Sequence, residues 1–162
     1  MTGVQTCALP IYPIDWKMRS GYLRATLPRT LGRDCAGTVV AVGEGVSGLG
    51  TGQAVAGVAD PTKHGTHAEY AVLPASQVAP VPPGVLPEVA ASLGVSGLSA
   101  YIPLVEDARL APGARVLIHA GAGGVGSLAI QIARHLGAEV VASCGTANRE
   151  YCLGLGASRV VD

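Results

Sequence analysis

Phenylalanine is absent from the 162-residue chain, and lysine occurs only at Lys17 and Lys63. Acidic and basic residues balance at 11 each, so the formal net charge is zero and no basic stripe exists. That balance argues against nucleic acid as the main partner, because phosphate neutralisation needs clustered Lys and Arg. Charged residues make up only 14% against 49% hydrophobic, which excludes a disordered chain and requires a packed core. The four cysteines, Cys7, Cys35, Cys144 and Cys152, contain no C-x-x-C pair, so neither a zinc ribbon nor a C-x-x-C redox motif is suggested. Free thiols fit a reducing cytoplasm. The apolar stretch at residues 116–133 is interrupted by Gly121, Gly123, Gly124 and Gly126 and contains His119 and Gln131. It reads as a buried strand-turn-helix unit rather than a membrane span. Glycine (23) and proline (11) are plentiful, and with the abundant Ala, Val and Arg they point to a GC-rich coding sequence rather than to chemistry.

Residues 1–11 show neither helical nor strand period and no signal-peptide layout. They are identified as the translation of a widely used sequencing-adapter oligonucleotide, and segments of that kind are set aside from fold reasoning. Cys7 then leaves the cysteine count. The adapter ends in one extra T, and an Asn codon whose first base becomes T reads Tyr. On this reading, Tyr12 stands where the source gene has Asn.

The length allows one ordinary domain or two incomplete ones. Residues 34–58 carry short β-like runs, Thr38-Val39-Val40-Ala41-Val42 and Gln53 to Val58, punctuated by Gly43, Gly45, Gly48 and Gly50. Residues 68–73 and 77–79 read as two further strands bounded by Pro74 and Pro80, which suggests a small barrel or sandwich. After Pro87 the period becomes helical, over residues 88–93 and 98–108. A strand (115–120), helix (125–136), strand (139–143), helix (147–155) and strand (159–161) then alternate. That βαβαβ order implies a parallel sheet, the first half of a doubly wound α/β domain, and an expectation that the natural protein continues.

The strongest local signal is Gly121-x-Gly123-x-x-Gly126, which follows an apolar strand and opens an apolar helix. The first glycine is expected to turn the chain, and the second to let backbone N–H groups, with those of Gly124 and Val125, approach a pyrophosphate. The third allows close helix packing, and the helix N-terminus adds positive potential. An NAD-selective site places an acid at the end of the second strand, whereas this strand ends Ser143-Cys144-Gly145-Thr146. The missing carboxylate permits NADPH. Ser143 and Thr146 are candidate hydrogen-bond donors to its 2′-phosphate, and Arg149 is either a charge partner or a solvated helix residue.

Taken together, several stretches resemble the medium-chain dehydrogenase/reductase superfamily, in its zinc-free quinone oxidoreductase branch. They are Asp15-Trp16-Lys17-x-Arg19-x-Gly21-Tyr22, Leu31-Gly32-Arg33-Asp34-x-Ala36-Gly37, and Val40 to Gly43 with Gly45. Gly65-Thr66-His67-Ala68-Glu69-Tyr70, Gly97-Leu98-Ser99-Ala100-Tyr101 and the glycine loop complete the set. The resemblance implies a GroES-like β-barrel catalytic domain over residues 12–90, without its N-terminal strand. It also implies the first half of a Rossmann domain over 91–162, with an active cleft between the two. In such enzymes NADPH delivers hydride to a quinone or to the alkene of an α,β-unsaturated carbonyl. The full-length parent is expected to be a homodimer acting on a small molecule, with no membrane or nucleic-acid partner.

Zinc-dependent relatives carry Gly-His-Glu where this chain has Gly32-Arg33-Asp34, and the lobe of four close cysteines is missing, so no metal is expected. His64-x-x-His67 lacks a third ligand, and His119 reads as structural. The resemblance puts the nicotinamide-lining Asn at Tyr12 and turns Lys17 toward the cleft, and these two are the candidate catalytic residues. Asp15 and Arg19 match the motif, or each simply holds the barrel together through a salt bridge. Ser96 and Tyr101 face the cofactor or pack. Two rival functions remain, a 2-enoyl thioester reductase on the same fold and a nucleotide-binding relative without turnover. A blander reading is that the chain does not fold stably alone, its third parallel strand leaving an exposed edge.

Overall fold

The β-branched run of residues 38–42 lies in β2 (Asp34–Val42), the middle strand of a five-stranded antiparallel sheet ordered β4-β1-β2-β3-β5. The computed structural model describes residues 1–22 and 27–162, and the chain divides into a unit of residues 1–95 and a unit of residues 96–162. In the first unit β1 (Thr2–Ala8) and β3 (Ala54–Val58) flank β2, with β4 (Tyr70–Leu73) beyond β1 and β5 (Val78–Pro80) beyond β3. Val4, Val39 and Val55 interlock at its centre, and Cys35, Ala59 and Leu73 form a second buried group. Gly37 faces β1 so closely that a Cβ there would overlap the Gln5 carbonyl oxygen, the close backbone approach that a strand glycine marks.

Two elements depart from the sequence reading. Residues 1–11 were expected to carry no strand, yet residues 2–8 form β1, hydrogen-bonded to β2 on one edge and β4 on the other. Only Thr2 and Val4 are fully buried, while Gln5 and Cys7 face solvent. The alternation is carried by one threonine and one valine, too thin to register as a hydrophobic period. Strand pairing uses backbone groups, so two open edges accept a segment of low β-propensity. The second departure is α1 (Pro13–Arg19), which opens with Pro13 in its first turn, where a missing N–H costs nothing.

The division falls between Val95 and Ser96 rather than after residue 90. Ala90 and Ala91 of α2 (Pro87–Ser92) pack on Ala36 of β2, and the Val95 N–H bonds to Asp34, so this stretch belongs with the sheet. A helix predicted over 98–108 is instead α3 (Val95–Tyr101) followed by a π-helical turn at Ile102–Asp107. Pro103 lacks the N–H for the α-helical bond, and its own carbonyl accepts from Ala108 N–H at 3.0 Å.

In the second unit β6 (Arg115–Ile118), α4 (Gly124–His135), β7 (Glu139–Ser143), α5 (Arg149–Leu155) and β8 (Arg159–Val161) alternate as predicted, and the strands are parallel in the order β6-β7-β8. Ile118, Ala129, Ile130, Ala133, Val140, Ala142, Cys152 and Val160 make its core. Gly156, at φ 115°, ends α5 in the left-handed conformation that glycine adopts without a Cβ clash. Among the described residues no helix is long and apolar enough to cross a membrane.

Candidate functional site

The glycine loop joins β6 to α4, and its glycines are needed for different reasons. Ala120, not Gly121, takes the left-handed turn, with φ at 52°. Gly121 is a spacing residue: a Cβ there would meet Ala142 Cβ and Ile130 Cδ1 at 3.0 Å and Cys152 Sγ at 3.2 Å. Its N–H donates to the Ser143 carbonyl at 2.8 Å, tying the loop to the end of β7. At Gly126 a Cβ would overlap the Ala120 carbonyl oxygen and lie 2.8 Å from Gly121 Cα, so the helix can approach the turn only with glycine there. Gly123, Gly124 and Val125 are exposed, and Gly123 is the N-cap of α4. Helix geometry leaves the first N–H groups of α4 without intrahelical acceptors. An exposed, positively polarised helix start above a loop stripped of side chains fits a pyrophosphate. Ser96, buried on α3, sets its hydroxyl against Gly124, where a Cβ would come within 3.2 Å. Tyr101, also on α3, is largely exposed.

At the carboxyl end of β7, Ser143 is half-buried, and its hydroxyl lies 3.1 Å from His119 Nδ1 and accepts a longer bond from Ala120 N–H at 3.4 Å. His119, read from the sequence as structural, thus contacts the side chain at the end of β7. Thr146 donates its hydroxyl to Asp162 Oδ2 at 2.7 Å, and Arg149 spends one guanidinium N–H on the Val160 carbonyl at 3.0 Å. The acid missing from the carboxyl end of β7 thus stands just after β8, at Asp162. Sequence reasoning missed Asp162 because only the parallel pairing of β7 with β8 brings it beside Thr146.

The first unit holds the other candidates. Asp15, at the third position of α1, is 4% exposed and accepts from Tyr12 N–H at 2.8 Å and from Gly32 N–H at 2.9 Å. These bonds from backbone N–H groups tie the start of α1 to Gly32. Among the described residues the ion pair is the exposed Arg115–Glu139, at 2.9 Å. The Tyr12 hydroxyl donates to Asp34 Oδ2 at 2.5 Å, and Val95 N–H donates to the same oxygen at 2.7 Å. Asp34 is fully buried, and its Oδ1 has no partner among the described residues. Burial pushes its carboxyl above the usual range. The bonds from Tyr12 and Val95 and the charge of Arg33 pull it back, while Asp15 opposes them. Lys17 sets its ammonium 5.8 Å from the ring centres of both Trp16 and Tyr22.

The two histidines of the His64-x-x-His67 motif are spent separately. His64 Nδ1 accepts from Thr30 N–H at 3.2 Å, and His67 Nε2 lies 3.1 Å from the Pro10 carbonyl. Among the described residues no three His, Cys, Asp or Glu side chains are grouped to hold a metal ion.

Comparison with known proteins places this architecture. The model of the alcohol dehydrogenase GroES-like domain matches residues 3–83. The chain is 37% identical to the trans-enoyl reductase pgmF of Aspergillus terreus over 98% of its own length and 48% of that protein. It is 38% identical to a chloroplastic quinone-oxidoreductase homolog of Spinacia oleracea, covering 96% of this chain and 50% of the relative. Among solved structures, Escherichia coli quinone oxidoreductase complexed with NADPH superposes with a TM-score of 0.90 at 34% identity, over 99% of this chain and 49% of that one. The chain spans about half the length of the curated relatives it matches. With the GroES-like domain matched over residues 3–83 and quinone oxidoreductases among its neighbours in sequence and structure, the chain belongs to the medium-chain dehydrogenase/reductase superfamily, in its quinone oxidoreductase-like branch.

Proposed function

We propose that this chain carries the catalytic-domain and dinucleotide-binding parts of an NADPH-dependent reductase that acts, without a metal, on a quinone or an α,β-unsaturated carbonyl. The observation that carries the reading is the cleared helix start at Gly123, Gly124, Val125 and Gly126, beside a second strand that ends in Ser143 instead of an acid. When bound, the dinucleotide supplies the hydride. The loop N–H groups and the start of α4 hold its pyrophosphate. Ser143, with His119 behind it, offers a polar and uncharged contact to the 2′-phosphate, and one donor of Arg149 is spent within the domain. In the first unit Asp15 and Asp34 hold Tyr12 by its backbone and by its phenol, so this side chain is pre-oriented for contact with a ligand. Lys17 stands on the same helix as a cation beside two aromatic faces. Arg33 occupies the position of a zinc-binding histidine, which favours a metal-free reaction.

A second reading, reduction of a 2-enoyl thioester, is favoured by the likeness to a trans-enoyl reductase. The test follows NADPH oxidation by the purified chain with a benzoquinone and, separately, with a short 2-enoyl thioester. Turnover of the quinone supports the leading reading, and turnover of the thioester alone supports the second. Saturable NADPH binding with no turnover of either points to a nucleotide-binding relative. Absence of binding overturns all three for this chain.

A further inference from the structure

Cys144 and Cys152 have no part in the dinucleotide reading, yet their sulfurs lie 3.5 Å apart, with Cys152 donating to Cys144. Both belong to the second unit. Cys144 directly follows β7, is half-buried, and bonds through its N–H to the Val161 carbonyl at 3.1 Å. Cys152 sits on α5 at zero exposure, its sulfur pressed against Gly121, where a Cβ would come within 3.2 Å. The residue before Cys144, Ser143, accepts the Gly121 N–H. The pair therefore connects α5 with the end of β7 directly behind the glycine loop. Cys35 and Cys7 are contrasting cases. Cys35 is buried among Ala59 and Leu73, and burial pushes its thiol up to about 11, whereas Cys7 is exposed.

We propose that Cys144 and Cys152 are a reversible redox-modification site, a dithiol that peroxide converts to an intramolecular disulfide. Disulfide bonding requires sulfurs about 2.0 Å apart, so the two must close by roughly 1.5 Å from their present separation. Cys144, the more exposed thiol, reacts first. Its thiolate attacks one oxygen of hydrogen peroxide, the O–O bond breaks, and Cys144 sulfenic acid and water result. The Cys152 thiol then attacks the sulfenic sulfur. The S–O bond breaks, the S–S bond forms, and the Cys152 proton leaves with the hydroxyl as a second water. Two thiols are oxidised by two electrons and one peroxide is reduced to two waters. A dithiol reductant reverses the step by exchange. Burial, followed by the neighbouring Cys144 thiol, pushes Cys152 above its ordinary value, which keeps it a thiol until the sulfenic acid appears beside it.

The experiment needs no nucleotide, so it stands or falls independently of the proposed activity. The reduced chain is treated with hydrogen peroxide, its intact mass is recorded, and a proteolytic digest is mapped with and without dithiothreitol. The expected result is loss of two hydrogens, a Cys144–Cys152 linked peptide replacing the free Cys144 peptide, and full reversal by dithiothreitol. The same peptide is expected in Cys7→Ser, which removes the exposed thiol. In Cys152→Ala, checked for folding by circular dichroism, a dimedone-trapped sulfenic acid is expected to accumulate at Cys144. Oxidation of Cys144 in the wild-type chain to sulfinic acid with no linked peptide would overturn the proposal. So would Cys144 and Cys152 thiols that both remain free after Cys7 has reacted.

Discussion

The Tyr12 phenol donates a 2.5 Å hydrogen bond to Oδ2 of Asp34, a carboxylate that is fully buried. The same oxygen takes the Val95 N–H, so one acceptor joins the loop before α1, the start of β2 and the end of the first unit. Replacing Tyr12 with Phe removes a donor from a charge that cannot reach water. Such losses cost about 1–3 kcal/mol, and urea unfolding of Tyr12→Phe is expected to show a midpoint lowered accordingly. An unchanged midpoint would mean that the bond contributes nothing. Tyr12→Asn, the residue expected in the source gene, tests whether the fold tolerates it: stability equal to that of the wild-type chain would show that the site accepts Asn.

The pH dependence follows from the same carboxylate. Its folded pKa lies above the ordinary aspartate value, chiefly through burial, so between the two values the folded chain binds more protons than the unfolded one. Stability contributed by this group is therefore full below that value and is lost as pH rises through the raised one. Thermal unfolding at pH 4 and pH 7 is expected to show a smaller loss toward neutrality in Asp34→Asn than in the wild-type chain. Parallel pH profiles for the two proteins would refute the assignment.

The glycine loop contains a strained alanine and a crowded glycine, and substitutions at the two should have opposite effects. Ala120 holds φ at 52°, where an L side chain costs roughly 1–2 kcal/mol. Ala120→Gly is expected to raise the melting temperature. Gly126→Ala places a methyl on the Ala120 carbonyl and is expected to unfold the second unit or abolish nucleotide binding. Gly154→Ala, in α5 with open space around it, is the control and should stabilise by about 0.5–1 kcal/mol.

Much of this architecture was legible because it rests on patterns the chain carries locally. β7 and β8 fall where alternation and β-branched content put them, and α4 begins at the glycine loop. β1 was not legible, because only Thr2 and Val4 turn fully inward and the backbone edges of β2 and β4 supply the rest. Nor was the Tyr12–Asp34 bond, which spans 22 positions and depends on a loop brought back to β2. In the candidate site the glycines were readable from spacing. The engagement of Thr146 with Asp162 was not, because a pairing between parallel strands has no local signature.

On the proposed cofactor reading, Ser143 at the end of β7 stands where a carboxylate would select against a 2′-phosphate. Like charges brought together in a binding site cost several kcal/mol. Ser143→Asp is therefore expected to weaken NADPH binding at least tenfold while leaving NADH binding within a few-fold. Equal losses for both nucleotides would show that Ser143 does not face the adenosine ribose.

The most direct test of the central claim is titration of the purified chain with NADPH and then NADH, followed by nucleotide fluorescence. Saturable binding of both, with NADPH clearly tighter, is the result expected from the proposal that the loop holds the shared pyrophosphate and that the missing acid admits the phosphorylated ribose. Tighter binding of NADH would contradict the cofactor assignment, and binding of neither would contradict the reading of the glycine loop as a working dinucleotide site in this chain.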